Sequence, residues 1–151
     1  MSPLKTFIVE DSPVIRDSLI ATLEELVSVE VVGTAEDEDS ALKWLQQPQH
    51  AVDLVIIDIF LKAGSGLGVL RAASAMPQGA KRVVLSNYAT LDMRRKCLAL
   101  GADKVFDKSH DIDALIAYCG TLSGKPALDT DRANGIDGPN ETDESNGALP
   151  Q

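Results

Sequence analysis

Four short apolar runs in this chain end on residues equipped for chemistry. Phe7-Ile8-Val9 leads into Glu10-Asp11, Val55-Ile56-Ile57 into Asp58, Val84-Leu85 into Ser86, and Val105-Phe106-Asp107 into Lys108. A polar residue after an apolar run is ordinary. Three carboxylates, a hydroxyl and an ammonium that converge on one edge of one sheet are not. Crowded carboxylates repel one another, and a hard divalent cation with oxygen ligands relieves that repulsion. Mg²⁺ is the natural candidate, because it keeps several waters and can bridge to a phosphate oxygen. A carboxylate beside such a cation can attack phosphorus in line and become an aspartyl phosphate. Asp58 closes the most continuously apolar run and is the candidate nucleophile, whereas the adjacent Glu10 and Asp11 are better suited to holding metal. Ser86 could donate to a phosphoryl oxygen and Lys108 could balance its charge.

The convergence depends on the elements between these residues. Strands are expected at Leu4 to Glu10, Val29 to Gly33, Leu54 to Asp58, Arg82 to Ser86 and Lys104 to Asp107, and longer stretches of helical period alternate with them. Ser12-Pro13 offers an N-cap and a first-turn proline, with Ile15, Leu19 and Leu26 recurring on one face of the helix that follows. Further helices are expected from about Asp37 through Leu45, Leu67 to Met76, Leu91 to Leu100 with Gly101 as a left-handed stop, and Ile112 to Leu122. Five strands alternating with five helices through short loops predict an α/β fold, a doubly wound five-stranded parallel sheet with helices on both faces. In such sheets ligands bind outside the carboxyl ends of the strands.

Length and charge narrow the function. The 151 residues fit one ordinary domain and an appendage, and 44% apolar content is enough for a core despite only 4% aromatics. Lys and Arg number 14 against 23 Asp and Glu, a formal charge of −9 that disfavours a nucleic-acid partner. No apolar stretch is long enough for a membrane span and no leader pattern opens the chain, so a cytoplasmic protein is expected. Cys97 and Cys119 lack metal or redox spacing and read as buried thiols. From Gly124 onward Gly, Pro and Asn accumulate, and Lys125 and Arg132 face six acids. Residues 124–151 are therefore expected to be a disordered acidic tail after a domain at 1–123.

With these residues in place, the first 123 positions resemble a response-regulator receiver domain of two-component signalling, the flavodoxin-like receiver fold. The matching segments are Phe7 to Asp11, Val32 to Ala35 with Ala41-Leu42, Val55 to Asp58, Gly66 with Leu70, Val84 to Ser86, and Gly101-Ala102-Asp103 leading to Lys108. The resemblance implies a phosphorelay module whose Asp58 takes a phosphoryl group from a sensor histidine kinase or phosphotransfer protein. It implies that Asp11, Asp58 and the Phe60 carbonyl ligate Mg²⁺, with Glu10 acting through water. It also implies a read-out face built from the fourth helix, fifth strand and fifth helix, acting on a downstream protein that the sequence does not identify. The expected module is stand-alone and not an enzyme; the alternative is a pseudo-receiver that serves only as a protein-binding scaffold. Metal-dependent phosphohydrolases commonly carry a second carboxylate two residues past the nucleophile, where this chain has Phe60.

Four positions depart from the family pattern. Val105 stands where an aromatic switch residue is common, Asn87 follows Ser86, Ser109 takes the place of a proline whose preceding peptide is cis, and Lys62 stands in the loop after Asp58 where proline is frequent. Phe60 and Tyr88 flank the expected phosphoryl position, and their rings predict slow hydrolysis. Gly64-Ser65-Gly66-Leu67-Gly68 has the wrong spacing for a dinucleotide-binding turn. Trp44 is expected at the edge of the core, and Arg94-Arg95-Lys96 as a solvated helix face.

Overall fold

The computed structural model describes residues 3–47, 51–76, 79–87 and 89–123. The expectations for the acidic tail and for Tyr88 lie outside these residues. Among the described residues ten elements alternate: β1 (Leu4–Val9), α1 (Pro13–Leu26), β2 (Val29–Ala35), α2 (Glu38–Leu45), β3 (Leu54–Ile57), α3 (Gly66–Ser74), β4 (Lys81–Ser86), α4 (Leu91–Ala99), β5 (Lys104–Asp107) and α5 (Ile112–Leu122). The strands form one sheet in the order β2-β1-β3-β4-β5, with every pair parallel. This is the expected doubly wound sheet.

Local signals set most boundaries. Ser12 caps α1 by accepting the Ile15 N–H at 3.3 Å, and Pro13 opens the helix where its missing N–H costs nothing. Asp37, Ser65 and Thr90 cap α2, α3 and α4 in the same way, each accepting a backbone N–H from the first turn. After α4, Gly101 sits at φ 110°, the left-handed stop read from the sequence.

Alternate strand residues feed two cores. Val55 and Ile57 of β3 pack with Ala41, Leu45, Val69, Leu70 and Cys97 of α2, α3 and α4. Leu54 and Ile56 pack with Leu19, Leu23, Leu115, Ile116 and Cys119 of α1 and α5. Every residue of β3 is buried, which explains its unbroken apolar run. Both cysteines are free and buried, and burial pushes the Cys119 thiol up to about 12.

β2 is longer than its alternation suggests. Its register on β1 jumps from Thr6↔Val31 to Phe7↔Gly33, leaving Val32 as an extra residue. Val29 and Val31 therefore face the α1/α5 core, while Ala35 faces the α2 side. Gly33 lies under Trp44, whose indole stacks on Phe7 with ring centroids 4.0 Å apart and planes within 5°. A Cβ at residue 33 would stand 2.5 Å from the indole ring. Gly33→Ala is thus expected to cost about 1–3 kcal/mol and to shift the Trp44 emission, as read by urea unfolding followed through fluorescence. An unchanged midpoint would show that the indole moves aside freely.

Candidate functional site

The last rungs of the sheet put the polar residues on one edge. The Glu10 N–H donates to Ala35 O at 2.9 Å, the Asp58 N–H to Val9 O at 2.9 Å, and the Lys108 N–H to Ser86 O at 3.0 Å. Each residue thus continues its strand by one step and then turns its side chain over the carboxyl edge. β1 and β3 are neighbours here, although the chain runs from β1 outward to β2 before returning to β3. That reversal of strand order opens the crevice where open α/β sheets bind ligands.

Glu10, Asp11 and Asp58 each bring a carboxylate oxygen within 4.8 Å of the others. The Lys108 ammonium spans two of them, 2.6 Å from Glu10 Oε1 and 3.1 Å from Asp58 Oδ2. Glu10 and Asp58 are buried and Lys108 is nearly so, with side chains 3%, 7% and 9% exposed. The two Asp58 oxygens have different partners, since Oδ1 accepts the Phe60 N–H at 3.2 Å. Glu10 Oε2 accepts the Ser12 N–H at 3.1 Å, which ties the cluster to the start of α1. Burial raises the Glu10 carboxyl above its ordinary range against the pull of Lys108, and the Asp58 charge pushes it further up. For Lys108 burial works downward, but Glu10 and Asp58 together outweigh it and hold the ammonium above its ordinary value.

Three convergent carboxylates, two buried and Asp11 partly exposed, are the donor set of a hard divalent cation that keeps water ligands, so these residues fit Mg²⁺. Ser86 is fully buried at the end of β4, next to the strand that carries Asp58. Phe60 is about half exposed on the loop after Asp58.

Residues 6–119 match the family described as the response regulator receiver domain. The chain belongs to this family. Relatives include the transcriptional regulatory protein MalR of Bacillus subtilis, 29% identical over 99 residues, which are 66% of this chain and 41% of MalR. The chain spans about half the length of the curated relatives it matches. Its fold is similar to a LuxR-family response regulator from Aurantimonas at TM-score 0.71 and 23% identity, covering 87% of this chain and 94% of the other. It is also similar to a Burkholderia pseudomallei response regulator solved with a phosphorylated aspartic acid, calcium ion and citrate, at TM-score 0.66 and 23% identity, covering 80% and 69%.

The departures from the receiver pattern acquire physical content. No peptide among the described residues is cis. Ser109 in place of proline supplies an N–H that donates to Asp107 Oδ1 at 2.7 Å, and this bond above all holds the Asp107 carboxyl below its ordinary range. Lys62 is exposed and lies 3.4 Å from Glu36, which also meets Arg16 at 3.7 Å. Such exposed pairs contribute little stability.

One expectation needs correction. Arg95 and Lys96 are exposed as expected, but Arg94 is only about a third exposed and its guanidinium is engaged. Its guanidinium donates to Ala89 O at 3.0 Å, Val105 O at 2.9 Å and Asp111 Oδ2 at 3.3 Å, tying α4 to β5 and to the start of α5. The sequence signal was positional: Arg94 precedes the buried Cys97 by three residues and so flanks the inward stripe of α4.

Proposed function

We propose that this receiver domain accepts a phosphoryl group on Asp58 in a Mg²⁺-dependent reaction, with a phosphohistidine of a sensor kinase or phosphotransfer protein as donor. The observation that carries this reading is the cluster of three carboxylates, two of them buried, with one ammonium across those two. A carboxylate oxygen of Asp58 forms a bond to phosphorus as the bond from phosphorus to the donor nitrogen breaks in line, leaving an acyl phosphate on Asp58; the donor nitrogen keeps the bonding pair, and the ring departs as neutral imidazole because its other nitrogen is protonated beforehand. Glu10, Asp11, Asp58 and the Phe60 carbonyl would hold the cation, which neutralises charge on the phosphoryl oxygens when bound. The Phe60 N–H orients the Asp58 carboxylate. Lys108 already reaches the Asp58 oxygen, so it can pair with the phosphoryl group attached there. Ser86, on the neighbouring strand end, is the hydroxyl that turns toward it. The output passes through protein contact or onward phosphotransfer.

A groove of about 370 Å³ lies beside the pocket, with Lys108 in both. Val14, Ile15, Leu19 and Ile112 line it together with Asn87 and Lys108, and Val14 is 78% exposed. Among the described residues no helix is long and apolar enough to cross a membrane.

Incubation with Mg²⁺ and a small acyl phosphate, followed by intact-mass measurement, tests the proposal. A gain of one phosphate that needs the cation and disappears in Asp58→Asn is expected. No gain would make the domain a scaffold with an inert pocket, and turnover of a phosphate ester would make it a hydrolase.

A further inference from the structure

The glycine-rich stretch after β3 has no place in the phosphoacceptor chemistry, yet its alternating glycines meet two neighbours. A Cβ on Gly66 would run into the carbonyl of Asp58, and one on Gly64 or Gly68 would run into Glu38 at the start of α2. Gly64 also holds a φ of +80°, a conformation that suits glycine. Between these glycines the Glu38 carboxylate accepts the Ser65 N–H at 2.8 Å through Oε1, and the Glu38 N–H donates to Ala63 O at 3.2 Å. Ser65 in turn caps α3, and the Gly66 N–H donates back to Ile59 O at 2.9 Å. The loop that leaves Asp58 is thus pinned at its far end by a charge-assisted bond from another helix.

Resting on the reading of Asp58 as a Mg²⁺-dependent phosphoacceptor, we infer that Glu38 is a positioning residue for that site: lodged between Gly64 and Gly68 and bonded to Ser65, it fixes the loop that carries Phe60. Phe60 contributes twice, its N–H bonding Asp58 Oδ1 and its carbonyl being one of the groups that would hold the cation in the proposed site. Residues that orient metal ligands from outside typically contribute 10- to 100-fold in affinity. Glu38 is not among the cation's ligands, and its part is geometric. The acceptor oxygen therefore matters more than the charge.

The test is calorimetric titration of the whole chain with Mg²⁺, together with hydrogen exchange at the Ser65 amide. Glu38→Ala is expected to weaken Mg²⁺ by about tenfold and to speed Ser65 exchange. Glu38→Gln, which keeps an oxygen on Ser65, should fall closer to the wild type than to the alanine variant. Gly68→Ala provides an independent approach if Glu38→Ala folds poorly. Its methyl group presses on the carboxylate, so it should lower the Tm and weaken Mg²⁺ in the native background. In the Glu38→Ala background the same change should raise the Tm, because the space is vacant and alanine is the better helix residue. Unchanged Mg²⁺ affinity and Ser65 exchange in Glu38→Ala, with wild-type binding intact, would overturn this inference alone. A wild-type protein that neither binds Mg²⁺ nor takes up phosphate would overturn the phosphoacceptor reading beneath it.

Discussion

Lys108→Ala is expected to destabilise the cation-free protein by about 3 kcal/mol, and also to tighten its grip on Mg²⁺. The ammonium lies against Glu10 and Asp58 with all three side chains nearly dry. Removing it leaves two buried carboxylates facing each other and Asp11, and breaking such a cluster from one side costs the desolvation that the pair had offset. Two routes relieve the remaining charge. Mg²⁺ binds the folded pocket without a competing cation and restores stability by an amount that grows with the logarithm of its concentration above Kd. Protons do the same: burial already holds the Glu10 carboxyl above its ordinary range, and losing Lys108 removes a pull that lowers it, so stability in the variant should rise as the pH falls toward the ordinary carboxylate range. Urea unfolding with and without Mg²⁺ at two pH values reads all three effects. A loss that stays the same with cation or acid would mean that Lys108 contributes packing and not charge.

Gly66→Ala should damage stability and site together. The added methyl group would overlap the Asp58 carbonyl and lie 2.6 Å from the Ile59 Cα. Both obstacles are backbone and cannot rotate away, so α3 must withdraw and stretch the Gly66 N–H bond to Ile59 O. A cost of about 2–3 kcal/mol follows from overpacking of this kind. Because the displaced backbone belongs to the phosphoacceptor itself, phosphate uptake from an acyl phosphate should drop even under conditions where the variant is fully folded. Urea midpoints and intact mass on the same sample separate the two effects. Uptake at the wild-type rate in a folded variant would show that α3 can shift without moving Asp58.

Much of this was readable in the chain because the signals are local. Ser12-Pro13 marks the start of α1, Gly101 the end of α4, and the unbroken Val55-Ile56-Ile57 the central strand, each for a reason that needs no knowledge of distant residues. The pocket followed from the topology, since a parallel sheet leaves no other edge for Glu10, Asp58, Ser86 and Lys108 to share. What escaped depends on tertiary contact. The extra residue Val32 reverses the faces of β2, so the alternation that defines a strand fails at Gly33 although the strand continues to Ala35. Arg94 has the same composition as its basic neighbours and differs from them only in flanking the buried side of α4. The glycines at 64, 66 and 68 look like a flawed nucleotide-binding turn until Glu38 and the Asp58 backbone are seen to fill the space their missing side chains leave.

The central claim is that one carboxylate in this pocket, and not its neighbours, becomes the acyl phosphate. The most direct measurement treats the Mg²⁺- and acyl-phosphate-exposed protein with borohydride, which reduces an acyl phosphate to the corresponding alcohol, and locates the reduced residue by peptide mass. Reduction at Asp58 only, absent when the cation is chelated, is the predicted result. Reduction at Glu10 or Asp11, or none anywhere, would contradict the account.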